Sequence, residues 1–244
     1  MQLALPVWFS EDQSFDSFIA DDNSLVVEFL TSFINGDQEG LSTNSIPFCL
    51  LHSLQSAGKS HLLYASCQYA SENNSSHAYF DLKMLHQFPA SVILEAQQKD
   101  LICIDNIHVV KDDLTWQIAI FDLLNKVIEK NQSIANPEHY CKVIISATHS
   151  PASIGLSLPD LVSRLSWGTV FKLAPLNDDK NKLFMRQKLA GKGLEASDEV
   201  VNFLVTRLSR NMAKQIEIIN LLDRKSLESK RKLTVPFVKQ VLNI

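Results

Sequence analysis

The sequence predicts an α/β fold: a parallel sheet sandwiched by helices, followed by a small all-helical unit. Three observations predict it. The apolar run Ile46 to Leu51 leads into Ser53-Leu54-Gln55-Ser56-Ala57-Gly58-Lys59-Ser60, and this small-residue loop opens onto His61-Leu62-Leu63-Tyr64-Ala65, giving strand, loop and helix start in succession. Short apolar strands downstream alternate with helical stretches, the pattern of a parallel sheet covered on both faces. After Pro175 the strand signals stop and only helical periodicity continues.

With 244 residues, 45% of them apolar, the chain can bury a sizeable core as one large domain or as a larger and a smaller one. A net charge of −4 gives no global push toward nucleic acid or membrane. Cys49, Cys67, Cys103 and Cys141 lie far apart inside apolar runs without metal-ligand spacing, so reduced core thiols are expected, and with them the cytoplasm. No stretch reaches the roughly 18 apolar residues of a membrane span, and the N-terminus lacks a basic region followed by an apolar one.

In chain order, the apolar start Gln2-Leu3-Ala4-Leu5-Pro6-Val7-Trp8-Phe9 precedes acidic, loop-like residues; such an end either pairs as an edge strand or is held out for a partner. Asp21-Asp22-Asn23-Ser24 signals a helix start before Leu25 to Phe33, and Gly36 to Ser45 reads as a polar loop. His77 to Leu82 alternates like a strand, Met84 to Gln98 reads as helical, and Leu101-Ile102-Cys103-Ile104-Asp105 is a buried parallel strand with an acid at its carboxyl end. Trp116, Ile118, Ala119, Ile120, Phe121, Leu123, Leu124 and Val127 mark a largely buried helix. Lys142 to Thr148 is a strand stopped by Pro151, Leu158 to Leu165 a short helix, and Thr169 to Leu173 a further strand. Asn177, Ser197, Asn211 and Thr234 then precede four helices, broken between the first two by Gly191 and Gly193. The basic residues Arg224-Lys225 and Lys230-Arg231-Lys232 read as a solvated helix end.

The Gly58-Lys59-Ser60 loop has the chemistry of a phosphate cradle, in which backbone N–H groups and the positive end of a helix face the anion. The motif wants Gly where this chain has Ser53, so the loop is a degenerate Walker A. Downstream of it, Asp105 is a Walker B candidate, an acid that emerges beside the phosphates and can hold the water shell of Mg²⁺.

An α/β P-loop core followed by a helical lid is similar to the AAA+ plan. Within it, Ile104-Asp105-Asn106-Ile107, Phe121-Asp122-Leu123-Leu124-Asn125, Pro159-Asp160-Leu161-Val162-Ser163-Arg164-Leu165-Ser166-Trp167-Gly168 and Arg231-Lys232-Leu233-Thr234-Val235-Pro236-Phe237-Val238-Lys239 resemble the Hda family of DnaA-related regulators of bacterial replication initiation. The resemblance covers essentially the whole chain. It implies a clamp-binding peptide at 1–12, a nucleotide-binding α/β domain at 13–174 and a helical lid at 175–244. Gln2, Leu3, Leu5 and Pro6 are similar to the peptide by which that family docks on the DNA polymerase sliding clamp, with Leu3 and Leu5 as apolar anchors and Gln2 orienting the peptide.

The resemblance further implies a nucleotide diphosphate, ADP or another, held by Ser56, Ala57, Gly58, Lys59, Ser60 and His61. Lys59 would neutralise the β-phosphate, with Ser60 and Asp105 at Mg²⁺ when the metal is bound. Phe18 and Ile19 resemble the segment that packs on the base, plain core packing being the alternative; nothing reads a purine edge. Thr148 lies near the sensor-1 position, where a strand-capping threonine is the alternative. Arg164 corresponds to an arginine finger acting in trans on a neighbour's γ-phosphate. Whether that neighbour is DnaA, a second copy of this chain, or both is left open. Two departures count against strong autonomous ATP hydrolysis. Asn106 stands where hydrolytic relatives carry a second acid, and an amide cannot be that base. Ala213 stands where the sensor-2 arginine is expected; Lys214 beside it either substitutes or the contact is lost, and a helical neighbour points about 100° away.

The expected function is that of a cytoplasmic adapter, carried to DNA through the clamp, that promotes hydrolysis of DnaA-bound ATP. The competing expectations are a DnaA-like origin-binding initiator, against which the chain ends right after the lid, and a clamp-loader-type ATPase, which Ser53, Asn106 and Ala213 weaken.

Overall fold

The computed structural model describes residues 13–36, 46–134, 136, 139–209 and 211–244. These fold as two compact units: 58–174 with the described residues before 55, and 55–57 with Pro175–Ile244.

In the first unit, strands β1 (Phe48–His52), β2 (His77–Asp81), β3 (Leu101–Asp105), β4 (Lys142–Ala147) and β5 (Thr169–Lys172) form a five-stranded sheet in the order β2-β3-β4-β1-β5. Every neighbouring pair is parallel. The inner strands β1, β3 and β4 are buried almost throughout, which explains why they read as unbroken apolar runs.

Side chains alternate between the two faces. On one face Phe48, Leu50, Phe80, Ile102, Ile104, Val143 and Ile145 pack with Trp116, Ile120, Leu123, Leu124 and Val127 of helix α4 (Leu114–Gln132) and with Leu161 and Leu165 of α5 (Pro159–Trp167). Helices α1 (Ser24–Asn35) and α2 (Lys59–Glu72) serve the other face. There Phe29 packs on Phe171, Tyr64 stacks on Tyr79 at 4.3 Å, and the Cys103 thiol donates to the Leu63 carbonyl. Truncating a buried leucine or isoleucine of this core to Ala costs about 2–5 kcal/mol. All four cysteines are free and buried, as expected from their positions in apolar runs.

Three details differ from the sequence expectation. The stretch from Met84 to Gln98 is not one helix: a short α3 (Leu82–Leu85) ends, and a 3₁₀ segment runs from Ala90 to Gln98. Pro89 lies between them; its fixed φ and missing N–H interrupt the ladder. Ile118 is not core but 45% exposed, on the outer face of α4. Asn23, at the start of α1, makes no capping bond; its amide instead clasps Ala174, donating Nδ2–H to the carbonyl and accepting the N–H, each at 2.9 Å.

The second unit contains α6 (Asp178–Gly191), α7 (Asp198–Arg207), α8 (Met212–Ser229) and α9 (Val235–Leu242). The side chains of Asn177, Ser197, Asn211 and Thr234 accept the N–H groups of Lys180, Val200, Lys214 and Phe237, so each helix starts at the cap read from the sequence. Met185, Leu189, Val200, Val201, Leu204, Ile219, Leu222, Phe237 and Val238 make its core. Arg224, Lys225, Lys230, Arg231 and Lys232 are exposed, as a solvated helix end would be. Among the described residues no helix is long and apolar enough to cross a membrane.

Candidate functional site

The candidate site gathers where parallel strands end and a helix begins. Gly58 stands at the N-cap of α2 with φ 82°, a left-handed conformation that L side chains rarely adopt. A Cβ there would also lie 2.6 Å from Cε2 of Phe18. The absence of a side chain therefore serves both the turn and the close approach of residue 18. Lys59 opens α2, and its ammonium donates to the carbonyl of Ser53 at 2.6 Å. The residue that departs from the P-loop pattern thus supplies a partner for the P-loop lysine through its backbone.

Asp105, at the end of β3, is the hub. Its Oδ2 accepts from Ser60 Oγ at 2.6 Å and from the Tyr79 hydroxyl at 2.8 Å, and its Oδ1 accepts from Ser146 Oγ. Three hydroxyls hydrogen-bond the two oxygens of this buried carboxylate, which offsets part of the cost of taking it out of water. A hydroxyl and a carboxylate joined in this way suit Mg²⁺, a hard ion that takes one or two protein oxygens and keeps much of its water. Ser146 in turn accepts the Asn106 N–H at 2.9 Å, and Asn106 Nδ2 donates to Asp81 Oδ1 at 2.9 Å. Asp81 and Asp105 are register partners at the ends of β2 and β3. Sequence reasoning missed Tyr79, Ser146 and Asp81; the available signal was a serine inside the otherwise apolar strand Lys142–Ala147.

His61 Nε2 lies 2.9 Å from the Ser14 carbonyl and 3.3 Å from Ser17 Oγ, and its ring meets Phe18 edge-on at 5.3 Å. Ser14 and Ser17 accept each other's N–H groups, which folds residues 14–18 into a tight turn beside the first turn of α2. Phe18 is therefore next to the cradle, and Ile19 is half-buried beyond it. Thr148 follows β4 and shares a 2.9 Å hydrogen bond with His149 Nδ1.

Several basic groups crowd this strand edge beside the carboxylates of Asp81 and Asp105. Burial first, and then Lys172, Lys59 and His149, push the His52 imidazole below its ordinary pKa. Burial and the positive charges of Lys83 and Lys59 do the same to His108, against the pull of Asp105. Lys59 itself is lowered to about 8 by burial, with Asp105 opposing and Lys83 assisting. Bringing phosphate oxygens among these groups relieves like-charge repulsion.

Arg164 lies on α5. Its Nη2 donates to Asn125 Oδ1 of α4 at 2.6 Å, and its guanidinium carbon sits 4.3 Å from the Trp167 ring centroid and 5.8 Å from that of Phe121. Buried Gln117 of α4 holds the start of α5 by accepting the Leu158 N–H at 2.9 Å. In the second unit, Ser56 Oγ donates to Asn211 Oδ1 at 3.0 Å, Ala57 is buried, and Lys214 is exposed in the first turn of α8. The side chain of Ala213 and the residues Gln2, Leu3, Leu5 and Pro6 lie outside the description.

Comparison with known proteins adds the family context. Residues 178–242 match the family model of the Hda lid domain. Domain III of the Thermotoga maritima replication initiation protein DnaA superimposes with a TM-score of 0.78 at 18% identity, over 96% of this chain and 97% of that one. AMPPCP-bound DnaA from Aquifex aeolicus gives 0.65 at 20% identity over 91% and 68%. The RuvB Holliday junction branch migration motor of T. maritima gives 0.65 at 16% over 95% and 71%. At such identities the likeness is one of fold. Residues 58–174 with the lid thus share the fold of DnaA domain III, and the lid itself matches the Hda lid domain.

Proposed function

We propose that this chain is a regulatory adapter that binds a nucleotide diphosphate, docks on the DNA polymerase sliding clamp through Gln2, Leu3, Leu5 and Pro6, and promotes hydrolysis of ATP held by DnaA. The observation that carries the reading is the state of Arg164: a permanently charged guanidinium whose described partners are an amide oxygen and two aromatic faces, leaving its charge for an external anion. Asn106 argues for the same division of labour. Its amide is held by Asp81 and its N–H by Ser146, so the place of a water-activating base is filled by a group that cannot accept a proton.

In this reading ADP or a related diphosphate lies against Gly58 and the first turn of α2, with Lys59 turning from the Ser53 carbonyl to the β-phosphate. Ser60 and Asp105 would hold Mg²⁺, which adds positive charge on the phosphates; Phe18 and Ile19 border the base, and Thr148 and Lys214 are the remaining nucleotide contacts. AMPPCP bound to a DnaA of the same fold supports nucleotide binding here. DNA is reached through the clamp and the protein works in the cytoplasm.

The test is hydrolysis of DnaA-bound ATP in the presence of clamp loaded on DNA. Wild-type protein raises the rate. Arg164→Ala abolishes the rise with clamp binding intact, and alanine at Gln2, Leu3 and Leu5 abolishes clamp capture. An Arg164→Ala protein that still stimulates hydrolysis defeats the adapter reading. Turnover by the isolated protein at about 1 s⁻¹ would instead make it an ATPase in its own right. Tight sequence-specific DNA binding without clamp would make it an initiator.

A further inference from the structure

We propose that Asn211 is a positioning residue for the phosphate loop, holding Ser56 with the same side-chain oxygen that caps α8; this rests on the reading of residues 53–60 as a phosphate cradle. The chain leaves β1, spends Gln55, Ser56 and Ala57 in the helical unit, and returns to the sheet unit at Gly58. Inside the helical unit Ser56 Oγ donates to Asn211 Oδ1 at 3.0 Å, across 155 positions of sequence, and the Lys214 N–H donates to the same atom at 3.1 Å. An amide oxygen has two lone pairs, so both are used. One side chain thus serves the helix and the loop together. Asn211 is itself held: its carbonyl accepts the Gln215 N–H at 3.0 Å, and the fully buried Gln215 side chain donates Nε2–H to the Ser209 carbonyl at 3.1 Å. The turn into α8 is therefore fixed on both sides of Asn211 by bonds that do not involve the loop.

The direction of the Ser56 bond decides what it is for. A hydroxyl has one hydrogen, and here it goes to Asn211, so the side chain has only lone pairs left to present. Lone pairs repel a phosphate oxygen. Binding the anion is therefore left to backbone N–H groups and Lys59, while the Ser56 side chain sets the course of the loop. Ala57 follows as a buried residue, and Gly58 then takes φ 82°, so the chain enters its left-handed turn from a fixed point. A loop ordered in advance removes part of the cost that anion binding otherwise meets. The tie needs no γ-phosphate, so a diphosphate and a triphosphate meet the same loop.

The experiment measures ADP and AMPPCP affinity by calorimetry, together with melting temperature and amide exchange at Lys214, for full-length wild type, Ser56→Ala, Asn211→Gly and the double variant. Glycine is chosen because it caps a helix nearly as well as asparagine, so α8 keeps its start while Ser56 loses its acceptor. Each single variant is expected to weaken ADP by about threefold to tenfold, the scale of one hydrogen bond, and AMPPCP by the same factor. The double variant is expected to be no weaker than the worse single one, because both changes remove one and the same bond. The inference is overturned if Ser56→Ala weakens ADP as much in Asn211→Gly as in wild type, which would mean that the hydroxyl acts on the nucleotide itself. It is overturned as well if Asn211→Gly binds ADP as wild type does, if losses simply follow melting temperature, or if the loss is confined to AMPPCP, which would place the bond's effect at the γ-phosphate. A wild-type protein that binds no ADP would instead remove the cradle reading. The tie is then read from Lys214, whose amide should exchange about threefold faster or more in nucleotide-free Ser56→Ala, and unchanged exchange there overturns it.

Discussion

Asn106 gives its side-chain N–H to Asp81 across 2.9 Å, at the adjoining carboxyl ends of β3 and β2. The donor sits at φ 64°, a conformation that Asn and Asp tolerate better than other side chains. Asn106→Asp therefore keeps the backbone but sets one carboxylate against another. The expected loss is about 1–3 kcal/mol, measured from the urea midpoint. Combining it with Asp81→Asn restores an amide–carboxylate pair with the roles exchanged and should recover most of that loss. A single Asn106→Asp variant as stable as wild type would show that this pair contributes nothing.

The proposed contact between Lys59 and phosphate predicts a nucleotide affinity that depends on pH. Burial depresses its ammonium to about 8, opposed by Asp105 and aided by Lys83. Because the folded chain sheds this proton before the unfolded chain does, the charged form is a cost to the fold below that value. Stability from this group rises as pH climbs from about 8 toward the ordinary lysine range. Phosphate reverses the preference, so above about pH 8 binding must take up a proton, and affinity for ADP should fall with pH by up to about tenfold per unit. Calorimetry in two buffers of different ionisation enthalpy reads the proton directly; constant affinity across that range contradicts the assignment.

At Gly168 the constraint is steric. An added methyl would approach the Phe48 carbonyl carbon and oxygen to 2.9 and 2.4 Å, and this is the backbone of a central strand, which cannot swing aside as a side-chain tip can. Gly168→Ala is expected to cost about 1–3 kcal/mol or more. Lowered melting with Arg164 function reduced in proportion would be the signature of β1 moving away from α5.

Asn23 offers a stability test remote from the site. Its amide satisfies both the N–H and the carbonyl of Ala174. Asn23→Ala leaves two backbone groups without that partner, at about 1–3 kcal/mol. Amide hydrogen exchange at Ala174 should accelerate in the variant; unchanged protection would mean that water replaces the side chain at no cost.

What was legible in the sequence follows from the range of the forces involved. Buried parallel strands declare themselves by composition, so the runs that became β1, β3 and β4 stood out. Helix caps are local bonds between a side chain and an N–H two or three residues on, so Asn177, Ser197, Asn211 and Thr234 were readable one by one. The stretch from Met84 to Gln98 misled because its apolar spacing outvoted Pro89. Ser60 could be paired with Asp105 from the motifs, but Tyr79, Ser146 and Asp81 could not: they reach Asp105 or its neighbour only because β2, β3 and β4 align in register. Asn23 shows the same limit, since a residue that looks like a cap was already engaged 151 positions away.

The buried cysteines have a practical corollary. Burial raises the thiols of Cys49 and Cys103 far above their ordinary range and that of Cys141 to about 12, and Cys67 is fully enclosed, so native sulfur is withheld from alkylating reagents. A cysteine introduced on an exposed helix position, for example Ser163→Cys, one residue before Arg164, would be the one thiol to take up a maleimide dye. Fluorescence from that dye would report on the surroundings of Arg164 in real time, and so on the approach of the proposed target, with no need to strip the four natural cysteines from the chain.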